Sequence, residues 1–180
     1  KIVCVGRNYV EHAKELGNAV PERPLLFLKP PTALLGDGET IVLPRASAQV
    51  EHEGEIGVVV GAVLRRAGRE EARAGIAGIT CVNDVTARDQ QRSDGQWTRA
   101  KSFDTFCPIG PHIVSGIDPD NLQIELFLNG KLKQSSNTKN GNAKKSTKDV
   151  VEIMPKNLNT YLGQKGYTVL KSELTVKQQT

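Results

Sequence analysis

Glu51, Glu53 and Glu55 stand within five residues at the head of an apolar run, EHEGEIGVVVG (51–61). A strand has a side-chain period of two, so the three glutamates share one face. Val58, Val59 and Val60 then read as a strand buried on both sides. Carboxylate charge carried into a core is costly unless something cancels it. A divalent cation does so, because hard cations prefer oxygen ligands and Mg²⁺ combines carboxylates with water and substrate oxygens. Glu53 and Glu55 lie one strand repeat apart, roughly 6.5–7 Å between Cα atoms, so their side chains can meet on one ion. The alternative is a strand end with solvated glutamates.

A third acid bears on the choice. In VNDVTARD, Asp84 ends an apolar strand where a helix begins, and strand ends of this kind commonly carry ligands and catalytic groups. Its alternative role is to cap the following turn. Spacing allows Glu53, Glu55 and Asp84 to form one three-carboxylate site without requiring it. His12 and Glu15, at i and i+3 in RNYVEHAKE, share a helix face. A carboxylate there can orient an imidazole to take a proton from water; a solvated face is the plainer reading. Lys101, just before the proline-ended SFDTFCPIGP, can offer positive charge to a developing oxyanion, or be an exposed strand-edge lysine.

The remaining sequence sets the frame. At 180 residues the chain is long enough for one domain with a real core. No run approaches the roughly 18 apolar residues of a membrane span. KIVCVGRNYV reads as a strand entering a loop rather than a signal peptide. Cys4, Cys81 and Cys107 lie in or beside apolar stretches and read as buried thiols. That favours a reducing compartment: the cytoplasm, or the mitochondrion in a eukaryote. The net charge is +4, yet all ten arginines fall at or before Arg99, and ten of the fourteen lysines fall at or after Lys131. With no aromatic-interleaved basic platform, nucleic acid is excluded as a partner.

Along the chain, strands outnumber helices. Strands are predicted at 1–6, 25–35 (broken by Pro30-Pro31), 53–64 as a long central strand, 79–84, and 110–116. GDGET (36–40) turns into an apolar IVLP (41–44), and FLNGKL marks a hairpin through its Asn-Gly turn. Helical spacing appears at NYVEHAKELGN, at 69–78 and at 85–92, where Thr86 and Asp89 have capping-box spacing. Beyond about 135 the composition turns polar and lysine-rich, with one strand-like stretch at 167–176 and a helix-like one around Leu158–Leu162.

The motifs GRNYVEHAKELG, LFLKPPTALLG, HEGEIGVVVG, CVNDVTARDQQ and KSFDTFCPIGP resemble, in this order, those of the fumarylacetoacetate hydrolase family. The likeness is greatest to its acylpyruvase and oxaloacetate decarboxylase-like branch, and it runs from residue 1 to about 138. It implies an α+β, β-rich fold, a mixed sandwich rolled around a metal site, usually in a dimer. It implies Mg²⁺ or Mn²⁺ on Glu53, Glu55 and Asp84, a water-activating pair His12 and Glu15 on a closing lid, and an active-site lysine at Lys101. Gln91 maps to a substrate-contacting glutamine, with Arg88 in the same motif.

The implied chemistry is metal-dependent hydrolysis of acylpyruvates, decarboxylation of oxaloacetate, or both, through a metal-stabilised pyruvate enolate of a small 2-oxo acid. Within the family, a decarboxylase or isomerase of aromatic ring-cleavage products is the alternative. From another class, the chain is an inactive metal-binding remnant. That last reading arises because residues 139–180 depart from the family's pattern and contain no Gly-Thr-Pro loop. The departure implies a catalytic domain over 1–138 and an unrelated tail that does not complete the sheet. Apolar faces near Val58–Val60 and Ile124–Leu128 then need another cover, and low solubility or obligate oligomerisation with weak catalysis is expected.

Overall fold

The structure, a computed structural model, describes residues 1–7 and 24–140. The helix predicted around His12 and Glu15, and the stretches at 158–162 and 167–176, lie outside the described residues. In chain order the main elements are β1 (Ile2–Gly6), β2 (Leu25–Lys29), β3 (Leu34–Leu35), β4 (Val50–Glu51), β5 (Gly54–Val60), α1 (Arg69–Ala74), β6 (Ile76–Asn83), β7 (Thr86–Ala87), α2 (Arg88–Asp94), α3 (Thr98–Lys101), β8 (Cys107–Val114), β9 (Gln123–Leu128) and β10 (Lys131–Asn137). Among the described residues no helix is long and apolar enough to cross a membrane.

The architecture is β-rich. A mixed four-stranded sheet has the order β3-β8-β6-β5, with β3 parallel to β8 and the other pairs antiparallel. Three antiparallel pairs surround it: β1 with β2, β4 with β7, and β9 with β10. Lys29 ends β2 because Pro30 carries no N–H for a ladder, and Pro31 opens a short 3₁₀ turn. The β9–β10 hairpin turns through Asn129 and Gly130, both at positive φ (54° and 71°), as an Asn-Gly hairpin turn requires.

Several sequence expectations are corrected. The strand predicted over 53–64 stops at Val60 and, among the described residues, lies at the edge of its sheet instead of the centre. The chain leaves the ladder where Gly61 N–H donates to Gly75 O (2.9 Å). At the other end of β5, a side chain binds the main chain: Gly54 N–H donates to Gln134 Oε1 (2.8 Å), and Gln134 Nε2 donates back to Gly54 O (2.6 Å). The helix predicted over 69–78 ends at Ala74, since Ile76 is already paired with Val60. In IVLP, Ile41 is buried in the core while Val42 and Leu43 are exposed, and Val42 N–H donates to Thr105 Oγ1.

The capping box does not form either. Thr86 is a strand residue of β7, and the Asp89 carboxylate accepts from Ser47 Oγ (2.6 Å) and Ala48 N–H (2.9 Å), fastening the loop that precedes β4. Of the three cysteines only Cys107 is fully buried; Cys4 is half-buried and Cys81 lies at the surface. Cys81 pairs across the ladder with Gly110, which has no side chain to cover it.

The main core gathers Leu35, Ile41, Val85, Ala87, Ala100 and Phe106, with Val50 and Phe103 against it. It joins residues from both sides of β7 and α3, which is why the segments bearing Asp84 and Lys101 are held together. Val60, Leu64, Ala67 and Ala72 form a second cluster beneath α1. Val59, Val60, Ile124 and Leu126 are buried, whereas Phe127 and its cross-strand partner Leu132 stay exposed.

Candidate metal centre

The backbone brings the acids together. β5 and β6 are antiparallel, with Gly54 opposite Asn83 and Glu55 opposite Val82. The same register continues one step outward, where Asp84 N–H donates to Glu53 O (2.8 Å) and Glu53 N–H donates to Asn83 Oδ1 (3.0 Å). Directly opposed residues share a face, and so do i and i+2 on one strand. Glu53, Glu55 and Asp84 therefore project to one side of the ribbon. One carboxylate oxygen from each lies within 4.8 Å of the others, a group able to hold a metal ion.

Cations surround the triad. Lys101, at the end of α3 and only 2% exposed, donates to Asp84 Oδ2 (2.6 Å) and Glu53 Oε2 (2.9 Å). Arg88 Nη2 lies 2.5 Å from Glu53 Oε1, Arg88 Nε donates to Glu51 Oε2 (2.8 Å), and Arg88 Nη1 donates to Gln91 Oε1 (2.8 Å). Lys101 is thus no strand-edge lysine, and Asp84 caps no turn. Among the described residues, Gln91 reaches the triad through Arg88. Glu51, on the opposite flank of Arg88, is exposed and serves as its second anchor. His12 and Glu15 lie outside the described residues.

Protonation follows from this crowding. Burial, then the neighbouring charges of Asp84 and Glu53, push the Glu55 carboxyl up to about 8. Burial also raises Asp84, outweighing the opposing pull of Lys101 and Lys29. Glu53 differs: burial is its largest influence, yet Lys101 and Arg88 together overcome it and hold the carboxyl below its ordinary range. Burial opposes the charge on Lys101, but Glu53 and Asp84 prevail and raise its pKa. Crowding thus leaves Glu55 largely protonated at neutral pH, while Lys101, Lys29 and Arg88 offset the charge of Asp84 and Glu53.

The donor set fits a hard divalent cation. All three candidate ligands are carboxylate oxygens, and one oxygen from each lies within 4.8 Å of the others. A cation of charge +2 would favour the ionised form of Glu55, which burial and the charges of Asp84 and Glu53 oppose.

Three features escaped the sequence reading. Lys29, at the end of β2, is buried beside Asp84, with Nζ 2.8 Å from Oδ1. Its signal was a lysine closing an apolar strand immediately before Pro-Pro. Phe27 and Trp97 meet edge to face, 5.4 Å between centroids, and the Lys101 ammonium sits 5.0 Å and 6.0 Å from their ring centres. Such an aromatic wall favours the charged form of a lysine. Gly6 makes room for it, because a Cβ there would come within 2.3 Å of Trp97 Cζ3.

Comparison with known proteins gives a consistent picture. Residues 1–154 match the family described as fumarylacetoacetate (FAA) hydrolase C-terminal. An uncharacterized protein of Methanocaldococcus jannaschii is 56% identical over 140 residues, covering 78% of this chain and 59% of that protein. A protein of Bos taurus named as a mitochondrial oxaloacetate tautomerase is 45% identical over 143 residues, covering 77% of this chain and 46% of that one. The chain thus spans about half to three-fifths of the length of these relatives. The crystal structure of a 5-carboxymethyl-2-hydroxymuconate delta-isomerase from Mycobacterium smegmatis matches with a TM-score of 0.77 at 42% identity, covering 86% of this chain and 62% of that chain.

Proposed function

The chain belongs to the fumarylacetoacetate hydrolase family, and from that premise we propose that it is an enzyme acting on a small 2-oxo acid through its enol form. The observation that carries the reading is the convergence of Glu53, Glu55 and Asp84 within 4.8 Å, with Lys101 bonded to two of them. Glu53, Glu55 and Asp84 would hold Mg²⁺ or Mn²⁺. Such an ion, when bound, acts as a Lewis acid toward the carboxylate and 2-oxo oxygens of the substrate.

The chain's own residues supply the rest. Lys101, kept cationic by Glu53 and Asp84, faces the oxygen on which charge develops as the enol forms. Arg88 fixes Glu53 and, by occupying Gln91 Oε1, leaves the Gln91 amide N–H groups to a substrate oxygen. Phe27 and Trp97 wall off water on one side of Lys101.

The first reading is proton transfer between C3 and the 2-oxo oxygen of oxaloacetate or a similar acid. The tautomerase name of the bovine relative and the isomerase name of the mycobacterial structure support that class. The second reading is carbon–carbon cleavage: hydrolysis of an acylpyruvate, with His12 and Glu15 activating water for attack at C4, or loss of CO₂ from oxaloacetate. The residues at 12 and 15 favour it, being an imidazole and a carboxylate at i, i+3.

The test follows three reactions with the purified chain and Mg²⁺: ketonisation of enol-oxaloacetate, oxaloacetate decarboxylation and acylpyruvate cleavage. Acceleration of ketonisation that a chelator abolishes is the expected result. No acceleration of any of the three would overturn the proposal.

A further inference from the structure

A buried lysine is exceptional, because desolvating an ammonium is expensive unless every proton is used and the charge is paired. The Lys29 side chain is 0% exposed. Its ammonium donates to three main-chain carbonyls from distant parts of the chain: Val85 O (3.2 Å), Lys101 O (2.5 Å) and Phe106 O (2.8 Å). A lysine has three N–H protons, so these carbonyls use all of them. Asp84 Oδ1 lies 2.8 Å from the same nitrogen as its ion-pair partner. Lys29 therefore lends Asp84 its charge while it binds the main chain. The other oxygen, Oδ2, is already bonded by Lys101.

We infer that Lys29 is a positioning residue for the cation site: it pins the main chain of Val85, Lys101 and Phe106 in one frame, so that Asp84 is held beside Glu53 and Glu55 while Lys101 reaches Asp84 and Glu53. The geometry is economical, since one ammonium joins the strand end bearing Asp84 to the helix end bearing Lys101. Sequence adjacency does not provide this link, because the three acceptors lie 56, 72 and 77 residues from Lys29. Lys29 touches neither substrate nor ion in this role and acts through Asp84 and Lys101. The inference rests on the cation reading of the same site.

Two effects of removing Lys29 have opposite signs, which makes the test decisive. If Lys29 acted only as a charge, its loss would bring a cation a more negative site and tighter binding. If it positions the ligands, its loss frees three carbonyls and Asp84, and binding weakens. The probe is Mn²⁺ alone, with the free ion followed by electron paramagnetic resonance in the full chain and in Lys29→Met. We expect binding at least tenfold weaker in the folded variant. Unchanged or tighter binding, even with a lower melting temperature, would reject the positioning role. Failure of the unaltered chain to take up Mn²⁺ would reject the cation reading and this inference with it.

A second measurement needs no variant. In ¹⁵N-lysine spectra of the unaltered chain, the Lys29 ammonium protons should exchange slowly and remain so after Mg²⁺ is added. Rapid exchange would show that the three carbonyl bonds are not held, and the inference would fall even where Lys29→Met does not fold.

Discussion

Glu53 and Asp84 are cross-strand neighbours whose carboxylates share one ammonium. Asp84 N–H donates to Glu53 O at 2.8 Å, and Lys101 Nζ lies 2.9 Å from Glu53 Oε2 and 2.6 Å from Asp84 Oδ2. The backbone bond fixes the spacing of the two acids, and Lys101 fixes their orientation. Glu55 completes the triad with a carboxyl pushed up to about 8 by burial and by the charges of Asp84 and Glu53. From this relationship the following outcomes are expected.

Asp84→Asn keeps the shape of the side chain and removes its charge. A cation that binds only the folded chain stabilises it by about 2.7 kcal/mol at a hundred times its dissociation constant. Thermal melts of the original chain should therefore rise with Mg²⁺, and those of Asp84→Asn should not. An equal rise in both would remove Asp84 from the ligand set.

Lys101→Met should lower turnover by about 10²–10³-fold if its ammonium meets the developing oxyanion. It also leaves Asp84 Oδ2 and Glu53 Oε2 without their shared partner. Breaking a buried ion pair in this way costs about 3–5 kcal/mol, so the cation-free variant should melt well below the original. Steady-state kinetics with Mg²⁺, beside a denaturant titration without it, checks both halves.

The pH dependence of the cation-free chain has a definite sign. Glu55 titrates at about 8 when folded, against 4.5 for an unperturbed carboxyl. A raised folded pKa gives a contribution fully present below the unfolded value and lost as pH climbs through the folded one. Asp84 is raised as well and acts in the same direction. Stability should therefore decline between about pH 4.5 and 8, and Mg²⁺ or Glu55→Gln should flatten that decline. A stability that rises across this window would contradict the assignment for Glu55.

His12→Ala discriminates between the proposed reactions. Only acylpyruvate hydrolysis needs an activated water, so it should lose far more rate than oxaloacetate decarboxylation. Parallel losses measured side by side would remove His12 from the water-activating role.

Phe127 and Leu132 face each other across the β9–β10 hairpin, 37% and 52% exposed. An apolar pair of this kind favours association, in keeping with the dimer that the family resemblance implies. Light scattering should find the chain associated, and Leu132→Glu should shift it toward the monomer. A monomeric original chain would remove the hairpin from consideration as a contact.

Much was legible in the sequence because it depended on local pattern. The alternation at 51–56 fixed one face for Glu53 and Glu55, the apolar runs announced most of the strands, and Asn129-Gly130 specified its hairpin. Residue chemistry alone limited the candidate ligands to oxygen donors suited to a hard cation. The edge position of β5, by contrast, depended on which strands came to flank it, and the true role of Asp89 on a loop forty residues away. The most consequential omission was Lys29. Its place in LFLKPP gives no sign that three remote carbonyls and Asp84 converge on its ammonium, because hydrogen-bond satisfaction in a core is a property of the folded packing. The sequence by itself thus determined which groups could do chemistry and which of them shared a strand face, through the periodicity of the backbone. Only the tertiary structure decided that Asp84, Lys101, Arg88 and Lys29 meet there, since long-range packing sets the distances on which charge interactions depend.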